Sequence, residues 1–491
     1  MKRSVLIVFT FGIVIILCFF SNCKNDKGIP DYQNYPDNVG KIIFTKCAIP
    51  GCHNDASKMS SGGLSMESWD KLFEGGNGSA CVIPYRSDYS TMCYYTNTYS
   101  DLGVTLQPTM PFNKTPLSRE EYLTLKNWID AGAPSRDGFV KFSDNPDRKK
   151  IYVTDQSCDV VTVFDEATLL PMRYISVGNS PATEYPHNIK VSPDGKFWYI
   201  VSTSGNSLQK YRTSDDSFVG EAMLNEPTWL PPINGLWNTV TISNDGNMAY
   251  AIDWSGGGDI AEINTNTFTV IHHTGFANPH GSCMNPTGDT LYVTENYAGG
   301  YKIYKMPTSD LNSWTEAVLS PTPANLNTHE VLFSPDGSEY FVTCQGTNEV
   351  RVLQTGTDQL LATIPVGALP SEMAVSASHN YLFVTCEEDS TIAGQRGSVA
   401  VIDITSNAKI NTIYSGYQPH GIAVDDAKNL VYVANRNIST AGPAPHHIGN
   451  CGGRDGYMTF IDMNTLTLIQ SGTGPKKVEL AVDPYSVAVR H

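Results

Sequence analysis

The pattern of apolar and polar positions changes near Lys149. From there on, short stretches that alternate apolar and polar residues are separated by Gly, Asp and Asn turns, which predicts β-strands joined as hairpins. Residues 35–138 instead show apolar positions at helical spacing between long loops, which predicts short helices. Residues 139–148 mix Pro, Gly and charge without an apolar period and are interpreted as a linker. The chain therefore has two regions of different secondary structure.

The strand region, residues 149–491, repeats. Six hairpins align on their turns, each with an alternating strand, a turn centred on Asp-Gly or its equivalent, and a second strand. Their first strands open at His187, Asn238, His280, His329, Ser371 and His420. Further strands follow each pair, and a unit of about four strands is typical of a propeller blade.

A seventh copy is split between the two ends of this region. The stretch DPYSVAVRH, at residues 483–491, reads as a first strand, and KIYVTD, at residues 150–155, reads as the missing second strand. Together they predict one blade that closes the ring without an open strand edge. The repeats YVTD, YVTE and YVAN resemble the YVTN family of seven-bladed β-propellers, which implies an all-β propeller over residues 149–491.

The helical region opens with KCAIPGCHN, residues 46–54. Cys47, Cys52 and His53 supply two thiols and an imidazole within seven residues. A c-type haem needs such a set, with thioethers to both cysteines and iron bound by the following histidine. A small disulfide loop and a zinc site are the alternatives, although zinc calls for further ligands nearby. No other histidine occurs before His187.

A second motif, QPTMPFNKTPLSREEYLTLKNWIDAGAP, follows at residues 107–134. Ser118 and Glu121 predict a capping box, and Tyr122, Leu125, Trp128 and Ile129 predict the buried face of a helix. This layout, Cys-Cys-His early and Met110-Pro111 late, is similar to class I cytochrome c domains. The resemblance implies haem c bound by Cys47, Cys52 and His53, with Met110 as the second iron ligand. A core role for Met110 is the alternative, and Cys81 with Cys93 is interpreted as a structural disulfide.

The N-terminus indicates the compartment. Lys2 and Arg3 precede an apolar run to Phe20, which is typical of a signal peptide. Cys23 follows at the distance seen in bacterial lipoproteins, so the resemblance implies a signal peptide at residues 1–22, lipidation of Cys23 and a flexible tether at residues 23–34. An uncleaved membrane anchor is the alternative. Either way, we expect an extracytoplasmic protein, held at a membrane, whose thiols can oxidise.

Charge and cysteine count narrow the functional classes. The 491 residues carry a net charge of −16 without a cluster of Lys or Arg, which argues against nucleic-acid binding. The chain has 11 cysteines, and removing Cys18 with the signal peptide and Cys23 to lipid leaves nine. An odd number predicts at least one cysteine that is free, metal-bound or thioether-linked.

Histidine recurs at one repeat position. His187, His280, His329 and His420 open four of the six intact hairpins. Because the first strand of each propeller blade lines the central channel, these side chains should converge near one mouth. An offset of 15 residues predicts cross-strand partners for the six opening residues, among them Glu295, Cys344, Cys386 and Asn435.

Imidazole and thiolate suit copper, zinc or iron, so the histidines form a candidate transition-metal site. Simple hydrogen bonding at the channel mouth is the alternative. A long insertion in the last blade, PAPHHIGNCGGRDGY, supplies a weaker candidate metal site in His446, His447 and Cys451. Because this insertion has few aliphatic side chains to bury, it should need a ligand, a disulfide or a partner to become ordered.

These features together predict an extracytoplasmic redox protein. A haem c domain would pass electrons to or from a channel site that acts on a small molecule or a metal ion. The plan resembles cytochrome–propeller fusions such as nitrite reductases of the cytochrome cd1 type, although no residue specific to a second haem can be placed. The alternative is a non-catalytic redox, metal-handling or docking lipoprotein that works with a redox partner or a membrane complex.

Overall fold

A computed structural model describes residues 31–225, 234–275, 277–320, 324–439, 442, 451–472 and 474–490. The predicted signal peptide, the lipidation site Cys23 and the candidate ligands His446 and His447 lie outside the described residues. Within the described ranges, no helix is long and apolar enough to cross a membrane.

The first region contains four α-helices among its described residues. They are α1 (Asp37–Ile42), α2 (Trp69–Leu72), α3 (Thr91–Thr96) and α4 (Arg119–Asp130). A π-helical turn at Ile43–Cys47 extends α1, and short 3-10 turns lie at Lys58–Ser60, Ser87–Tyr89 and Ser100–Leu102. Ser118 and Glu121 form the predicted capping box of α4, which confirms where this helix begins.

The core of the helical region lies between α1, α2 and α4. The predicted face of α4 is confirmed, since its four apolar side chains are all buried. Trp69 donates from Nε1 to the carbonyl of Ala133 at 2.9 Å, which ties α2 to the end of the region. The predicted disulfide is wrong: Cys81 and Cys93 are both buried, but neither is bonded to another cysteine. Both thiols instead pack in the apolar core of the helical region.

The second region consists of antiparallel sheets arranged as seven propeller blades in the described part of the chain. Blade 1 contains β1 (Lys150–Asp155), β2 (Val160–Asp165) and β3 (Leu170–Ser176), with a 3-10 turn at Gln156–Cys158. Blade 2 contains β4 (Pro186–Val191), β5 (Phe197–Ser202), β6 (Ser207–Arg212) and β7 (Phe218–Met223). Blade 3 contains β8 (Trp237–Ile242), β9 (Met248–Asp253), β10 (Asp259–Asn264) and β11 (Thr269–Gly275).

The remaining blades follow the same order. Blade 4 contains β12 (Pro279–Met284), β13 (Thr290–Glu295), β14 (Lys302–Pro307) and β15 (Thr315–Val318). Blade 5 contains β16 (Thr328–Phe333), β17 (Glu339–Cys344), β18 (Glu349–Gln354) and β19 (Leu360–Pro365). Blade 6 contains β20 (Pro370–Ser376), β21 (Tyr381–Cys386), β22 (Ser398–Asp403) and β23 (Ala408–Ile413).

Blade 7 and the chain end complete the region. The strands of blade 7 are β24 (Pro419–Asp425), β25 (Leu430–Asn435), β26 (Asp455–Asp462) and β27 (Thr467–Leu468), and β30 (Val478–Val482) also pairs with β26. A two-stranded ribbon links β28 (Gln470–Ser471) and β29 (Gly474–Pro475). The last strand, β31 (Pro484–Arg490), pairs with β1, so the first and last strands of the propeller share one four-stranded sheet.

The cross-strand register differs from the predicted offset by one residue. The partner of Glu295 is Pro279 rather than His280, and the partner of Cys344 is Thr328 rather than His329. The same shift recurs in every intact hairpin because a β-bulge follows the first paired residue. A bulge adds one unpaired residue to the inner strand. In each blade this extra residue is the one that opens the predicted first strand.

A threonine repeated in the second strand joins neighbouring blades. Thr294 accepts a hydrogen bond from the amide of Gly281 in its own blade at 2.8 Å and donates to the carbonyl of His329 in the next blade at 2.9 Å. The same pair of bonds recurs at Thr343 and Thr385. The threonine of the YVT or FVT triplet thus completes the bulge and connects it to the following blade.

The helical region packs against the outer strand of blade 1. Tyr89 stacks on Tyr174 of β3 with ring centroids 4.4 Å apart, and Ile83 joins the same apolar core. Arg86 donates to the carbonyl of Tyr174 at 3.0 Å. The two regions therefore share a packed interface at the rim of the propeller.

Candidate functional sites

The cysteine turn, residues 47–53, is held by its own backbone. The amide of His53 donates to the carbonyl of Cys47 at 3.1 Å, and the amide of Cys52 donates to the carbonyl of Ile49 at 3.0 Å. Both cysteines are unpaired, Cys47 buried and Cys52 partly exposed. The structure therefore places two thiols and an imidazole in one compact turn and does not show the disulfide alternative.

The chemistry of this turn fits attachment of a haem better than a zinc site. Two cysteines and one histidine are one ligand short of the usual four for structural zinc. His53 Nδ1 is buried without a hydrogen bond of normal geometry to any described residue. Burial lowers the pKa of His53, opposed by the nearby backbone of Leu64 and Ser61, so the imidazole is neutral at pH 7, the form that binds a metal.

Met110 lies in the loop between the last 3-10 turn and α4. Its amide donates to the carbonyl of Tyr95 at 2.7 Å, and its side chain is partly exposed rather than part of the core. The neighbouring Phe112 is 57% exposed, and Met59 in the loop after the cysteine turn is 79% exposed.

The predicted histidines come together in the channel. Their rings form a closed series with Tyr485, which occupies the same repeat position in β31. The ring centroids are 6.4 Å apart for His187 and His280, 4.1 Å for His280 and His329, 5.9 Å for His329 and His420, 3.6 Å for His420 and Tyr485, and 4.2 Å for Tyr485 and His187. With Asn238 and Ser371, these side chains form what we call the histidine layer, one residue from each blade.

Hydrogen bonds orient the imidazoles. His280 Nδ1 lies 3.2 Å from the carbonyl of His329, and His420 Nδ1 lies 3.2 Å from the carbonyl of Tyr485. Because a carbonyl only accepts, these Nδ1 atoms must carry the proton, and each Nε2 keeps its lone pair. His187 Nδ1 instead meets the amide nitrogen of Gln156 at 2.7 Å. The layer thus bonds outward to the protein through Nδ1.

Burial determines the charge of the histidine layer. It lowers the pKa of all four imidazoles, to about 4 for His280 and well below the ordinary value for the other three. The positive charge of Arg436 lowers the pKa of His420 further. At neutral pH the layer is therefore uncharged and rich in lone pairs.

The residues predicted to be the cross-strand partners of the histidine layer do not lie behind the histidines. Cys344 and Cys386 are buried in apolar cores between blades. Glu295 accepts from the hydroxyl of Tyr304 at 3.0 Å, and Asn435 bonds within blade 7, to Thr459 among others. The bulges explain this result, since they shift each cross-strand partner by one residue and turn it away from the channel.

Cys451, a weaker candidate ligand, is bonded to Cys158 in a disulfide. Their Cα atoms are 5.3 Å apart, although 293 residues separate them in sequence. The insertion of blade 7 is therefore anchored to the turn after β1, and disulfide formation removes Cys451 from the candidate metal ligands. A disulfide was one of the means of ordering that the composition of this insertion predicts, but nothing in the sequence identified Cys158 as its partner.

The channel mouth above the histidine layer has two unlike halves. Each blade contributes one residue to this mouth, the residue that directly follows its second strand. The backbone amide of this residue donates to the carbonyl of a residue just before the first strand of the same blade. The seven residues are Gln156, Thr203, Trp254, Asn296, Gln345, Glu387 and Arg436. On one side Arg436 pairs with Glu387 at 2.9 Å and with Asp483 at 2.6 Å. On the other side Trp254 approaches His280, with ring centroids 5.6 Å apart.

A second polar group lies in the channel beyond the histidine layer. Glu330 and Glu372 follow the layer residues of blades 5 and 6, and Lys190 of blade 2 interacts with both carboxyl groups. Burial raises the pKa of both, and the charge of Glu372 raises that of Glu330 further. Glu330 also accepts from the amide of Met373. The repeat pattern did not reveal these carboxyl groups.

The described residues contain no group of three or more His, Cys, Asp or Glu side chains arranged to hold a metal ion. The imidazoles of the histidine layer are in contact, but as oriented they do not form a coordination sphere.

Comparisons with known proteins bear on the propeller. The family described as "Lactonase, 7-bladed beta-propeller" matches residues 237–452. A functionally unknown protein from Desulfotomaculum acetoxidans is similar, with a TM-score of 0.51 and 13% identity over 70% of this chain and 99% of that chain. A comparison with curated proteins found no match.

Two further solved structures show weaker similarity. Hydrazine synthase from Kuenenia stuttgartiensis has a TM-score of 0.48 and 17% identity over 63% of this chain and 93% of that chain. The dihydro-heme d1 dehydrogenase NirN has a TM-score of 0.48 and 14% identity over 85% of this chain and 95% of that chain. The seven sheets, together with the family match over residues 237–452, identify the second region as a seven-bladed β-propeller.

Proposed function

We propose that this protein is an extracytoplasmic redox protein in which haem c in the helical region exchanges electrons with a site in the propeller channel. The observation that carries the proposal is the cysteine turn, where Cys47 and Cys52 are unpaired and lie next to His53, a neutral imidazole whose Nδ1 atom is buried. The channel site acts on a small molecule or a metal ion.

Four residues of the helical region would hold the haem. Cys47 and Cys52 would form the two thioether links, and His53 and Met110 would be the ligands of the iron. The bound group would supply an iron centre that takes up and releases one electron. The exposed Met59 and Phe112 would cover part of its apolar surface.

A continuous series of contacts connects this region with the histidine layer. Tyr89 stacks on Tyr174, whose strand neighbour Thr162 donates to Asp155 at 2.6 Å. The next residue after Asp155 is Gln156, which bonds His187 at 2.7 Å. The path stays within blade 1, and we propose it as the route between the two sites.

The histidine layer is the proposed reaction site of the propeller. Neutral imidazoles are good ligands for copper and other transition metals, and four of them lie in contact here. Occupation by an ion would require some rings to turn. His329 is the candidate for such a rotation, since its Nδ1 has no hydrogen bond of normal geometry among the described residues and only the backbone of Ser371 lies nearby. His446 and His447 remain secondary candidates.

One observation favours the alternative of a non-catalytic docking lipoprotein. Three of the four imidazoles already bond to the protein through Nδ1, as expected for a layer that only joins blades. Metal analysis of the purified protein separates the two functions. One transition-metal ion per chain besides the haem iron, lost in a His280→Gln/His329→Gln variant, supports a reaction site. Iron from the haem alone supports the docking protein.

The haem proposal is tested by expressing the full chain in a host that matures c-type cytochromes. We expect a chromophore that survives denaturation and disappears in Cys47→Ser/Cys52→Ser. The matched control is Cys81→Ser/Cys93→Ser, which changes two unpaired cysteines in the same region and should keep the chromophore. A colourless wild-type protein, or a coloured Cys47→Ser/Cys52→Ser protein, would overturn the proposal.

The proposed lipid anchor has its own test. Cys23→Ser should release the protein from the membrane fraction or change its processing, and the wild type should incorporate labelled fatty acid. If Cys23→Ser remains in the membrane fraction, the protein is held by the apolar segment or by a partner instead.

A further inference from the structure

Lys150 and Asp216 form an ion pair in the core between blades 1 and 2. Lys150 lies in β1, and Asp216 lies in the turn between β6 and β7, with a left-handed φ of 60°. Lys150 Nζ is 2.7 Å from Asp216 Oδ2, and each side chain is only 2% exposed. Two charges that lose their hydration so completely often gain less from their attraction than they lose. A reaction that removes both charges would therefore be favoured at this position.

The reacting atoms are already close and held in place. A contact of 2.7 Å to Oδ2 puts Lys150 Nζ about 3.5 Å from Cγ of Asp216, which is near the separation of reacting atoms in a near-attack arrangement. Nζ also donates to the carbonyl of Thr213 at 2.7 Å, and the hydroxyl of Tyr152 donates to Asp216 Oδ1 at 3.2 Å. Groups fixed in this way react as if each were present at about 10⁵–10⁸ M. The fold thus supplies a concentration that an amine and a carboxyl group in water lack.

The surroundings favour the neutral amine and the neutral acid. Burial lowers the pKa of Lys150, and the positive charges of Arg490 and Arg173 lower it further. Burial also raises the pKa of Asp216. The attraction between the two residues opposes both shifts, so the ion pair is the resting form and the neutral pair is the reactive one. Moving one proton from Nζ to Oδ2 across their 2.7 Å contact converts the first into the second.

We propose that Lys150 and Asp216 condense slowly after folding to an intramolecular amide that joins blades 1 and 2. The lone pair of Nζ attacks Cγ of Asp216, the Nζ–Cγ bond forms, and the Cγ–Oδ2 bond breaks. Oδ2 leaves as water with its own proton and one proton from Nζ, so no oxidant or other reactant is needed. Tyr152 stabilises the negative charge that develops on Oδ1 in the intermediate.

The product leaves none of its polar atoms unpaired. An amide has one N–H, which the carbonyl of Thr213 accepts, and one oxygen, Oδ1, which accepts from Tyr152. The apolar core that contains Tyr152, Trp198 and Tyr211 then surrounds a neutral group instead of two charges. Because β1 pairs with the last strand β31, the amide ties the closing blade of the ring covalently to blade 2.

A second set of the same three residue types provides an internal control. Lys305 of β14 pairs with Asp358 in the turn between β18 and β19, and the hydroxyl of Tyr340 donates to Asp358 Oδ1 at 3.1 Å. The side chains of Lys305 and Asp358 are 17% and 18% exposed, so water solvates both charges. We expect this pair to remain an ion pair, because its neutral forms gain nothing from burial.

Peptide mapping of the full chain tests the proposal. After reduction of disulfides, trypsin should release residues 150–173 and 213–302 as one branched species, with the summed mass of both peptides less one water molecule. The fraction of this species should rise while folded protein is kept at growth temperature and should stay constant in urea. Lys305 should be cleaved normally throughout. Complete cleavage after Lys150 at every time, with the two peptides separate, would overturn the proposal.

Two variants test the assigned roles. Lys150→Arg keeps a positive charge beside Asp216 but has no amine that can condense, so it should give no branched species. Tyr152→Phe keeps the aromatic ring and removes the hydroxyl, so the branched species should form at least severalfold more slowly. Tyr340→Phe is the matched control and should leave the rate unchanged. If Lys150→Arg fails to fold, the rates of Tyr152→Phe and Tyr340→Phe decide, and equal rates contradict the assignment.

The amide goes beyond the proposed function, since none of its residues lies in the helical region. Cys47→Ser/Cys52→Ser should therefore form the branched species as fast as the wild type. Freshly purified protein, in which the ion pair predominates, is the reference for variants of Lys150 and Asp216. A branched species that appears only in haem-loaded protein would contradict the proposal, because it would mean that the haem and not the buried pair drives the reaction.

Discussion

The helical region and the propeller achieve order in different ways. The helical region has one core in which each contact occurs once, such as the bond from Trp69 to the carbonyl of Ala133. The propeller repeats the same contacts from blade to blade, and the bonds of Thr294, Thr343 and Thr385 are copies of one another. In the propeller, a residue that departs from the common pattern can be recognised by comparison with the equivalent positions of the other blades. The helical region has no second copy that would allow such a comparison.

This difference determines how function can be inferred in each region. In the propeller, the position that opens each first strand varies while its backbone stays constant, so the residue chosen there is free to serve function. Four histidines, Asn238 and Tyr485 at this position are therefore informative. In the helical region the inference rests on one motif, the cysteine turn, and on its chemistry.

Removing the last strand should have the largest effect. Deleting residues 484–491 takes away β31, which pairs with β1 and supplies the seventh member of the histidine layer, Tyr485. Chain ends are normally expendable, but this one is the innermost strand of a blade. We expect a fall of many degrees in the melting temperature, or failure to fold, measured by circular dichroism. An unchanged melting temperature would mean that the ring does not depend on this strand.

Breaking a buried ion pair between blades 1 and 2 should have the second largest effect on stability. Lys150 Nζ lies 2.7 Å from Asp216, and both side chains are 2% exposed. Lys150→Met leaves the carboxylate of Asp216 buried without its cation, so unfolding free energy should fall by about 3–5 kcal/mol. In Lys150→Met/Asp216→Leu most of this loss should be recovered. The exposed pair of Arg119 and Asp101 in the helical region is the control, since Arg119→Met should not change stability measurably.

The acid sensitivity of the propeller should depend on the histidine layer. Burial lowers the pKa of His280 from 6.5 to about 4, so the folded protein binds this proton more weakly than the unfolded chain. The resulting stability is present above pH 6.5 and is lost as the pH falls through 4, a change on the order of 3 kcal/mol for one such group.

His280→Gln should therefore flatten the dependence of unfolding free energy on pH between 6.5 and 4. The matched control is His379→Gln, at a partly exposed histidine in the turn between β20 and β21, which should keep the wild-type slope. Chemical denaturation at several pH values provides the measurement. Equal slopes for the two variants would mean that His280 is not the buried neutral group described here.

Removing one of the threonine hydroxyl groups that connect neighbouring blades by hydrogen bonds should have the smallest effect on stability. Thr343→Val keeps the shape of the side chain but removes the hydroxyl that accepts from the amide of Glu330 and donates to the carbonyl of Ser371. Leaving buried backbone groups unpaired should cost about 1–3 kcal/mol. Thr343→Ser retains the hydroxyl and should lose less. If Val and Ser variants unfold alike, the hydroxyl does not connect the blades.

Much of the fold followed from local patterns, because strand alternation and turn residues are properties of neighbouring positions. The hairpins, the propeller and the capped helix α4 were predictable in this way. The β-bulge formed by each opening residue was not predictable. One extra residue in a strand leaves the alternation of apolar and polar residues intact on either side. That single shift is why Cys344 and Cys386 were wrongly placed behind the histidines.

The candidate sites were predictable to a similar extent. The histidines converge as the repeat position indicated, and Tyr485 could have been found by aligning DPYSVAV with the PHG strands. The disulfide between Cys158 and Cys451 could not, since these cysteines are 293 residues apart in sequence and only the closure of the ring brings blades 1 and 7 together. The unpaired amide of Asn238 also depends on the packing of its surroundings, which no local pattern records.

Mass spectrometry of the tryptic peptide formed by residues 47–58 decides whether the cysteine turn carries haem c. Cleavage after Lys46 and Lys58 isolates both cysteines of the turn with His53. We expect this peptide, from protein matured in a cytochrome-competent host, to carry the mass of one haem and to have no thiol open to alkylation. A peptide of unmodified mass that alkylates at both Cys47 and Cys52, or that contains a disulfide between them, would contradict the account.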